Sequence, residues 1–215
     1  LSRRKAFEAD LMPALQAASR LLRAPGRPLR ASGFTTQFVV GAADETDREI
    51  LGTSGRLYRD LGLARAYYSA FRPIRETPLE GRAPTAPLRQ HRLYQSDFLL
   101  RRYGFRYEEL VFDAAGNLPA ECDPKSAWAR AHPEQFPVEV NRADRESLLR
   151  VPGIGPVAAE RIIRERRRGR LTDLSQMRRL GARTEQAAGY ITLDGRQPAH
   201  QLPLLGMVGR GERGR

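Results

Sequence analysis

Residues 151–156 read Val-Pro-Gly-Ile-Gly-Pro, and no regular element can run through them. Two prolines lack amide protons and two glycines favour turn geometry, so the segment stops one helix and starts another. Upstream, Asp144 is placed to cap a helix carrying Leu148, Leu149 and Val151. Downstream, Pro156 takes the first position of a second helix, which is expected to bury Val157, Ala159, Ile162 and Ile163. The turn also has a chemical use. Gly153 and Gly155 remove side chains, so a ligand can come close to the main chain. The amide protons at a helix start point outward at the positive end of the helix dipole. Such a turn holds an anion, most naturally a nucleic-acid phosphate, and bulky replacements at both glycines are expected to block its approach.

The charge distribution points the same way. The 215 residues carry 37 basic and 25 acidic groups, a formal charge of +12. Residues 1–41 carry +5, 42–141 carry −1, 142–183 carry +7 and the remainder +1. The densest positive block is therefore the one that contains the turn. Its cations are all arginine, which forks onto phosphate oxygens better than lysine does. Only Lys5 and Lys125 are lysines, so the preference for arginine belongs to the whole chain, but the clustering does not.

Elsewhere the pattern is mixed. Residues 4–23 place Ala6, Phe7, Leu11, Leu15, Ala18, Leu21 and Leu22 at helical spacing, ended by the loop Pro25 to Pro28. Thr35 to Val40 reads as a strand, Asp44 is placed to cap a helix with Ile50, Leu51, Leu57 and Leu61 on one side, and Ala64 to Phe71 reads as a second strand. Strand, helix, strand at this spacing predicts a right-handed βαβ unit with parallel strands. Residues 88–105 predict a helix with Leu88, Leu93, Phe98, Leu99 and Tyr103 apolar, breaking at Gly104, and 126–132 a shorter one around Trp128. Eight of the fifteen prolines fall between Arg72 and Val140, as in a connector. Gln197 to Arg215 is rich in Gly and Arg, with little to bury, and is expected to be mobile.

The stretch from Val140 to Arg170 resembles the helix-hairpin-helix motif of DNA-binding proteins that do not read sequence. The residues that carry the likeness are Val151 to Pro156, then Ala159, Ile162 and Ile163. The lead-in Val140, Asn141, Ala143 and Leu148 is similar to the paired form in DNA-uptake competence proteins. A degenerate second copy follows at Leu171, Leu174, Met177, Leu180, Gly181, Tyr190 and Ile191. Relatives often carry a lysine or hydroxyl residue after the second proline, where this chain has Val157 and Ala158. The resemblance implies DNA contacts from Val151, Gly153, Ile154, Gly155, Val157, Ala158, Arg161, Arg164 and Arg168, with Arg166, Arg167 and Arg170 nearby.

Upstream, FTTQFVVGAADETDREIL, RAYYSAFRPI, LRQHRLYQSDFLLRRYGF and GNLPAECDPKSAWARAHPEQFPVEV resemble the C-terminal half of DNA modification/repair radical SAM proteins that end in a helix-hairpin-helix region. The resemblance implies a fold of α/β plus all-α class, a partial radical SAM (β/α) barrel remnant followed by a helical domain. Its divisions are 1–75 (barrel remnant), 76–137 (proline-rich helical connector), 138–195 (DNA-binding domain) and 196–215 (flexible tail). It implies S-adenosylmethionine and a [4Fe-4S] cluster in the full-length relative, neither assignable to this chain alone, because the three-cysteine cluster motif is missing. Thr35, Thr36, Gln37, Val39 and Gly41 are the candidate cofactor-binding residues, with Tyr68 and Ser69 on the next strand. Glu45 and Asp47 are assigned to the helix start.

Other chemistry finds little footing. Cys122 is the one cysteine and reads as an ordinary thiol. His91, Tyr94, Gln95 and Asp97 form a polar group on a helix, expected to hydrogen-bond to the sheet rather than to hold a metal. No phosphate-binding loop, zinc-ligand pair or Ser-His-Asp pattern stands in the sequence, and no catalytic residue is assigned. No run approaches the ~20 apolar residues of a membrane span, so no membrane partner is expected. The reading is a cytoplasmic chain with sequence missing before Leu1 and DNA as its partner. The alternative is a helical adaptor for a protein such as a DNA glycosylase.

Overall fold

The computed structural model describes residues 6–24 and 33–198. The predicted loop at Pro25 to Pro28 and most of the predicted mobile tail lie outside these residues. The chain divides into two compact units, one up to Pro133 and one from Glu134.

The first unit opens with a π-helical turn, Phe7–Leu11, that runs into α1 (Met12–Arg23). β1 (Thr35–Val40), α2 (Asp47–Leu61) and β2 (Arg65–Ala70) follow, and the two strands pair in parallel with Thr35 opposite Arg65 and Val40 opposite Ala70. The expected order of strand, helix and strand, with the strands parallel, is met. Its helix, however, is capped by Thr46 rather than Asp44. Thr46 Oγ1 accepts from the Glu49 amide (3.2 Å) and the Glu49 carboxylate accepts from the Thr46 amide (2.7 Å), a reciprocal pair that satisfies two orphan donors at once. Asp44 takes a positive φ and pairs with Arg82.

α3 (Pro87–Arg102) and α4 (Pro124–Ala131) complete the unit. Both fall in the predicted connector, yet α3 packs on β2 and α2, and α4 on α3. Leu93 and Leu99 of α3 are buried as expected, whereas Leu88 and Phe98 are each 44% exposed. The helix gives part of its inner face to polar groups instead. Asp97 is fully buried and accepts from the hydroxyls of Tyr58 and Tyr68 (3.2 Å) and from Arg101 Nε (2.8 Å). Burial, together with the neighbouring carboxylate, pushes the Tyr58 and Tyr68 hydroxyls well above the ordinary phenol range.

Side chains also close one edge of the sheet. The amide of Ala66 donates to the Tyr58 hydroxyl (2.8 Å), that of Tyr68 to the Tyr94 hydroxyl (3.1 Å), and that of Ala70 to Gln90 Oε1 (2.8 Å). These alternate residues face away from β1, so no further strand can pair on that side. β1 pairs only with β2 among the described residues.

The second unit is helical and stapled by a short parallel pair, β3 (Val138–Glu139) with β4 (Ile191–Thr192). Between them lie α5 (Arg145–Arg150), α6 (Pro156–Glu165), α7 (Leu174–Arg179) and α8 (Thr184–Ala187). Leu148, Leu149, Val151, Ile154, Ala159, Ile162, Met177, Ala187 and Ile191 are at most 1% exposed and form its core. Ile163 is half-buried, and Val157, expected inside, is 60% exposed. The second residue of a helix that starts at the turn points outward, and Ala158 takes the inward place.

Candidate nucleic-acid interface

The first hairpin is held from beneath. Asp144 caps α5 through the Ser147 amide (2.7 Å), a bond that keeps its carboxyl below the usual range. Val151 and Ile154 are both fully buried, and the Ile154 amide donates back to the Val151 carbonyl (3.2 Å). The two buried side chains clamp the turn, so its conformation is set before any ligand arrives.

The start of α6 is left open. Its cap is Gly155, which offers no side-chain acceptor, and its first residue is Pro156, which has no amide proton. Among the described residues, the amides of Gly155, Val157 and Ala158 have no acceptor. The first helices of the two hairpins are instead closed by carboxylates, Asp144 at α5 and Asp173 at α7. In the first hairpin, the unsatisfied positive helix end therefore lies at the Gly-Ile-Gly turn, the position expected of an anion site.

The two glycines do different work. Gly153 has φ +81° and faces the second hairpin: a Cβ there would meet the Arg183 carbonyl oxygen at 2.4 Å and Gln186 Cβ at 3.1 Å. Its own carbonyl accepts from the Arg183 amide (2.8 Å). Gly153 is thus required by packing inside the unit, which corrects the expectation that it clears a path for a ligand. Gly155, at φ −94° and ψ 173°, has backbone angles that any residue adopts. Its backbone angles do not require a glycine there.

The second hairpin repeats the first in outline. Asp173 caps α7 by accepting from the Gln176 amide (3.0 Å), Gly181 turns with φ +95°, and α8 follows. Asn141 and the Leu171 backbone exchange two hydrogen bonds (both 2.9 Å), tying the lead-in to the start of the second copy. Glu139 accepts from the amides of Gly195 (2.7 Å), Asn141 (3.0 Å) and Asp194 (3.2 Å). Burial pushes its pKa up, but these bonds outweigh it and hold the carboxyl below its ordinary value.

The arginines divide by role. Arg166 donates to the carbonyls of Val140 (2.8 Å) and Ala143 (2.6 Å) and belongs to the fold. Arg170 pairs with Asp194, Arg168 with Glu165 (3.6 Å) and Arg145 with Glu160 (3.6 Å). Arg161, Arg164 and Arg167 are exposed and have no ion pair among the described residues. Val157, Arg161 and Arg164 recur at helical spacing along one face of α6, and that face begins at the free amides. Of the sequence-derived contact residues, Val151, Ile154 and Ala158 have buried side chains, so only their backbone can serve. Val157, Arg161 and Arg164 form an exposed patch next to the half-buried Gly155, with Arg168 beyond the end of α6.

The candidate cofactor residues of the first unit separate by face. Thr35, Gln37 and Val39 are exposed on one face of the sheet, beside Tyr67 and the half-buried Ser69, whereas Thr36 faces the other way. Gly41 donates its amide to Glu45, and a Cβ there would meet Thr85 Oγ1 at 2.0 Å, so its requirement is packing. Tyr68 is buried with its hydroxyl bound to Ser54 (3.0 Å) and Asp97. Asp47, at the start of α2, accepts from Arg89 (2.7 Å) and from the Leu118 amide (3.0 Å). His91 is exposed, and Arg92 donates to Gln95 (2.9 Å). Gln90, which no sequence pattern singled out, holds the strand edge.

A family model described as a helix-hairpin-helix motif matches residues 134–192. No curated protein and no solved structure matches the chain. The matched span lies within the second unit and covers both hairpins, and it supports nucleic-acid binding there. No helix among the described residues is long and apolar enough to cross a membrane.

Proposed function

We propose that the second unit binds DNA without reading its sequence, through backbone phosphate held at the first hairpin. The observation that carries this reading is the start of α6. Its three unsatisfied amides open onto the face that bears Val157, Arg161 and Arg164. Amides and arginines at a helix start recognise phosphate, which every nucleotide carries, so they give affinity and position but no sequence preference. Binding of the full chain to a duplex is expected to weaken with salt, with a log–log slope of about −2 to −3 if the three unpaired arginines each neutralise one phosphate.

Gly155→Asp tests the site directly. Aspartate is a preferred helix cap, its carboxylate would accept from the Val157 or Ala158 amide, and the Gly155 backbone already has the required angles. The variant is expected to be as stable as the parent or more so, and to bind DNA at least tenfold more weakly, because the anion position is then filled from within. A folded variant with unchanged affinity in an anisotropy titration would sink the reading.

The same proposal places the protein in DNA modification or repair, with the first unit as the closing part of a larger α/β sheet of the radical SAM kind. Support comes from the sheet itself. One edge is sealed by Tyr58, Tyr94 and Gln90, as suits a last strand, while a face bearing Thr35, Gln37 and Val39 is exposed, and parallel sheets are normally covered on both sides. The chain's own residues do not fit an iron–sulfur cluster. Such a cluster needs several thiolates, and the one cysteine, Cys122, is a buried thiol whose pKa is raised by burial. No step of chemistry is derived through that group.

A further inference from the structure

The second hairpin sets a cation beside the turn of the first. Arg183 is fixed there by its own backbone: its amide donates to the Gly153 carbonyl (2.8 Å), and its carbonyl oxygen would lie 2.4 Å from a Cβ on Gly153. Gly155 is two residues further along, at most about 7 Å of chain, which is comparable with the length of an arginine side chain. The Arg183 side chain is exposed, and among the described residues it has no hydrogen bond and no ion pair. Arg178 of the same hairpin is engaged instead, with Glu185 (2.8 Å) and Thr184 Oγ1 (3.2 Å). A second observation places Arg183 on the arginine-bearing face. Arg161 of α6 reaches across to the second hairpin, where its Nη1 would lie 3.6 Å from a Cβ on Gly181. Gly181 is exposed and stands two residues before Arg183. The chain at Arg183 therefore runs between the guanidinium of Arg161 and the Gly153 turn. Cations of one sign gathered on one surface raise its potential, and a phosphate lowers it.

We infer that Arg183 is a further DNA-binding residue, the second hairpin's contribution to the phosphate held at the free amides of Gly155, Val157 and Ala158. The inference rests on the proposed DNA-binding role and adds one residue to that site. The second turn itself has no amide to give: those of Gly181, Ala182 and Arg183 donate to the carbonyls of Arg178 (3.0 Å), Met177 (3.1 Å) and Gly153. What it can give is a side chain, and an arginine brings the full charge that amides lack. Amides shape a phosphate site without neutralising it. Arg183 should therefore carry a share of the salt dependence that the turn alone does not.

The test uses the full chain and a labelled duplex titrated across a salt series. Arg183→Gln leaves the backbone bond to Gly153 in place and removes the charge. It is expected to make the log–log slope shallower by about 0.9, one phosphate fewer, and to weaken binding several-fold at low salt. The gap between parent and variant should narrow about threefold between 50 and 200 mM salt. Arg183→Lys should restore the parent slope. The slope, unlike the affinity, is not moved by a smaller folded fraction, so it separates a phosphate contact from a structural role. In the Gly155→Asp background, Arg183→Gln should change affinity by less than about twofold, because the phosphate it would hold is already excluded. The inference is overturned if Arg183→Gln keeps the parent slope, or if its loss is undiminished in the Gly155→Asp background. Binding weakened by Gly155→Asp and untouched by Arg183→Gln would remove this residue and leave the DNA-binding role standing. A parent protein without salt-dependent binding would overturn both.

Discussion

At the residue scale, the two glycines of the turn show how one local signal can carry two requirements. Gly153 is needed because its φ is positive and because the Arg183 carbonyl lies 2.4 Å from where a Cβ would be. A backbone oxygen cannot swing aside as a side-chain tip can. Gly153→Ala is therefore expected to cost more than about 1 kcal/mol, read as a lower urea midpoint for the second unit, and to reduce DNA binding only through the unfolded fraction. An alanine variant as stable as the parent would show that this packing is wrong. Gly155 carries the opposite expectation: a side chain is tolerated by the backbone and excluded by the ligand. From sequence the two look equivalent, since φ at Gly153 is fixed by a residue thirty positions away.

At the element scale, the helices of the second unit are secured by carboxylates. Asp144 accepts from the Ser147 amide, Asp173 from the Ser175 hydroxyl and the Gln176 amide, and Glu139, against the cost of its burial, from three loop amides; all three are held below their ordinary pKa values. A carboxyl whose pKa is lower folded than unfolded stabilises the fold fully above its unfolded value and loses that contribution as pH falls through the folded one. The second unit should thus be pH-insensitive near neutrality and lose stability below about pH 4. Circular dichroism of residues 134–198 through an acid titration would show this. Asp144→Ala should lower stability by ~1 kcal/mol at neutral pH and flatten the acid limb. An acid limb of unchanged depth would mean that the cap is not titrating. These caps were partly legible. Asp144 stands directly before an apolar helical pattern, whereas at α2 the apparent cap Asp44 is displaced by Thr46, whose partner Glu49 completes the reciprocal bond.

At the scale of the whole molecule, the division into two compact units predicts that each unfolds with its own stability. The first depends on an ion pair under cover: Asp97 is fully buried and its partner Arg101 is 19% exposed. Removing one member of such a pair leaves a charge without compensation, and Asp97→Ala is expected to destabilise the first unit by about 3 kcal/mol or more. Trp128, the one tryptophan, lies in that unit and reports its unfolding by fluorescence. DNA affinity at neutral pH should be unchanged in this variant below its melting temperature. A parallel loss of DNA binding in the folded protein would show that the units are not independent.

Strands β1 and β2, the hairpin turn and the location of the positive charge are legible without any structure, because these follow from turn chemistry, periodicity and composition within a few neighbouring residues, whereas the two-residue strands β3 and β4 leave no such pattern. β1 spans Thr35–Val40 and α6 starts at Pro156, both as the local pattern required. Which polar groups are spent and which are free follows from long-range packing. Arg166 looks like its neighbours in the arginine run, yet it is consumed by two carbonyls, while Arg164 is not. Asp97 and Gln90 interrupt an apolar pattern because they bind a strand edge and its tyrosines. Availability of a hydrogen-bonding group depends on what packs against it, and those partners lie tens of residues away along the chain.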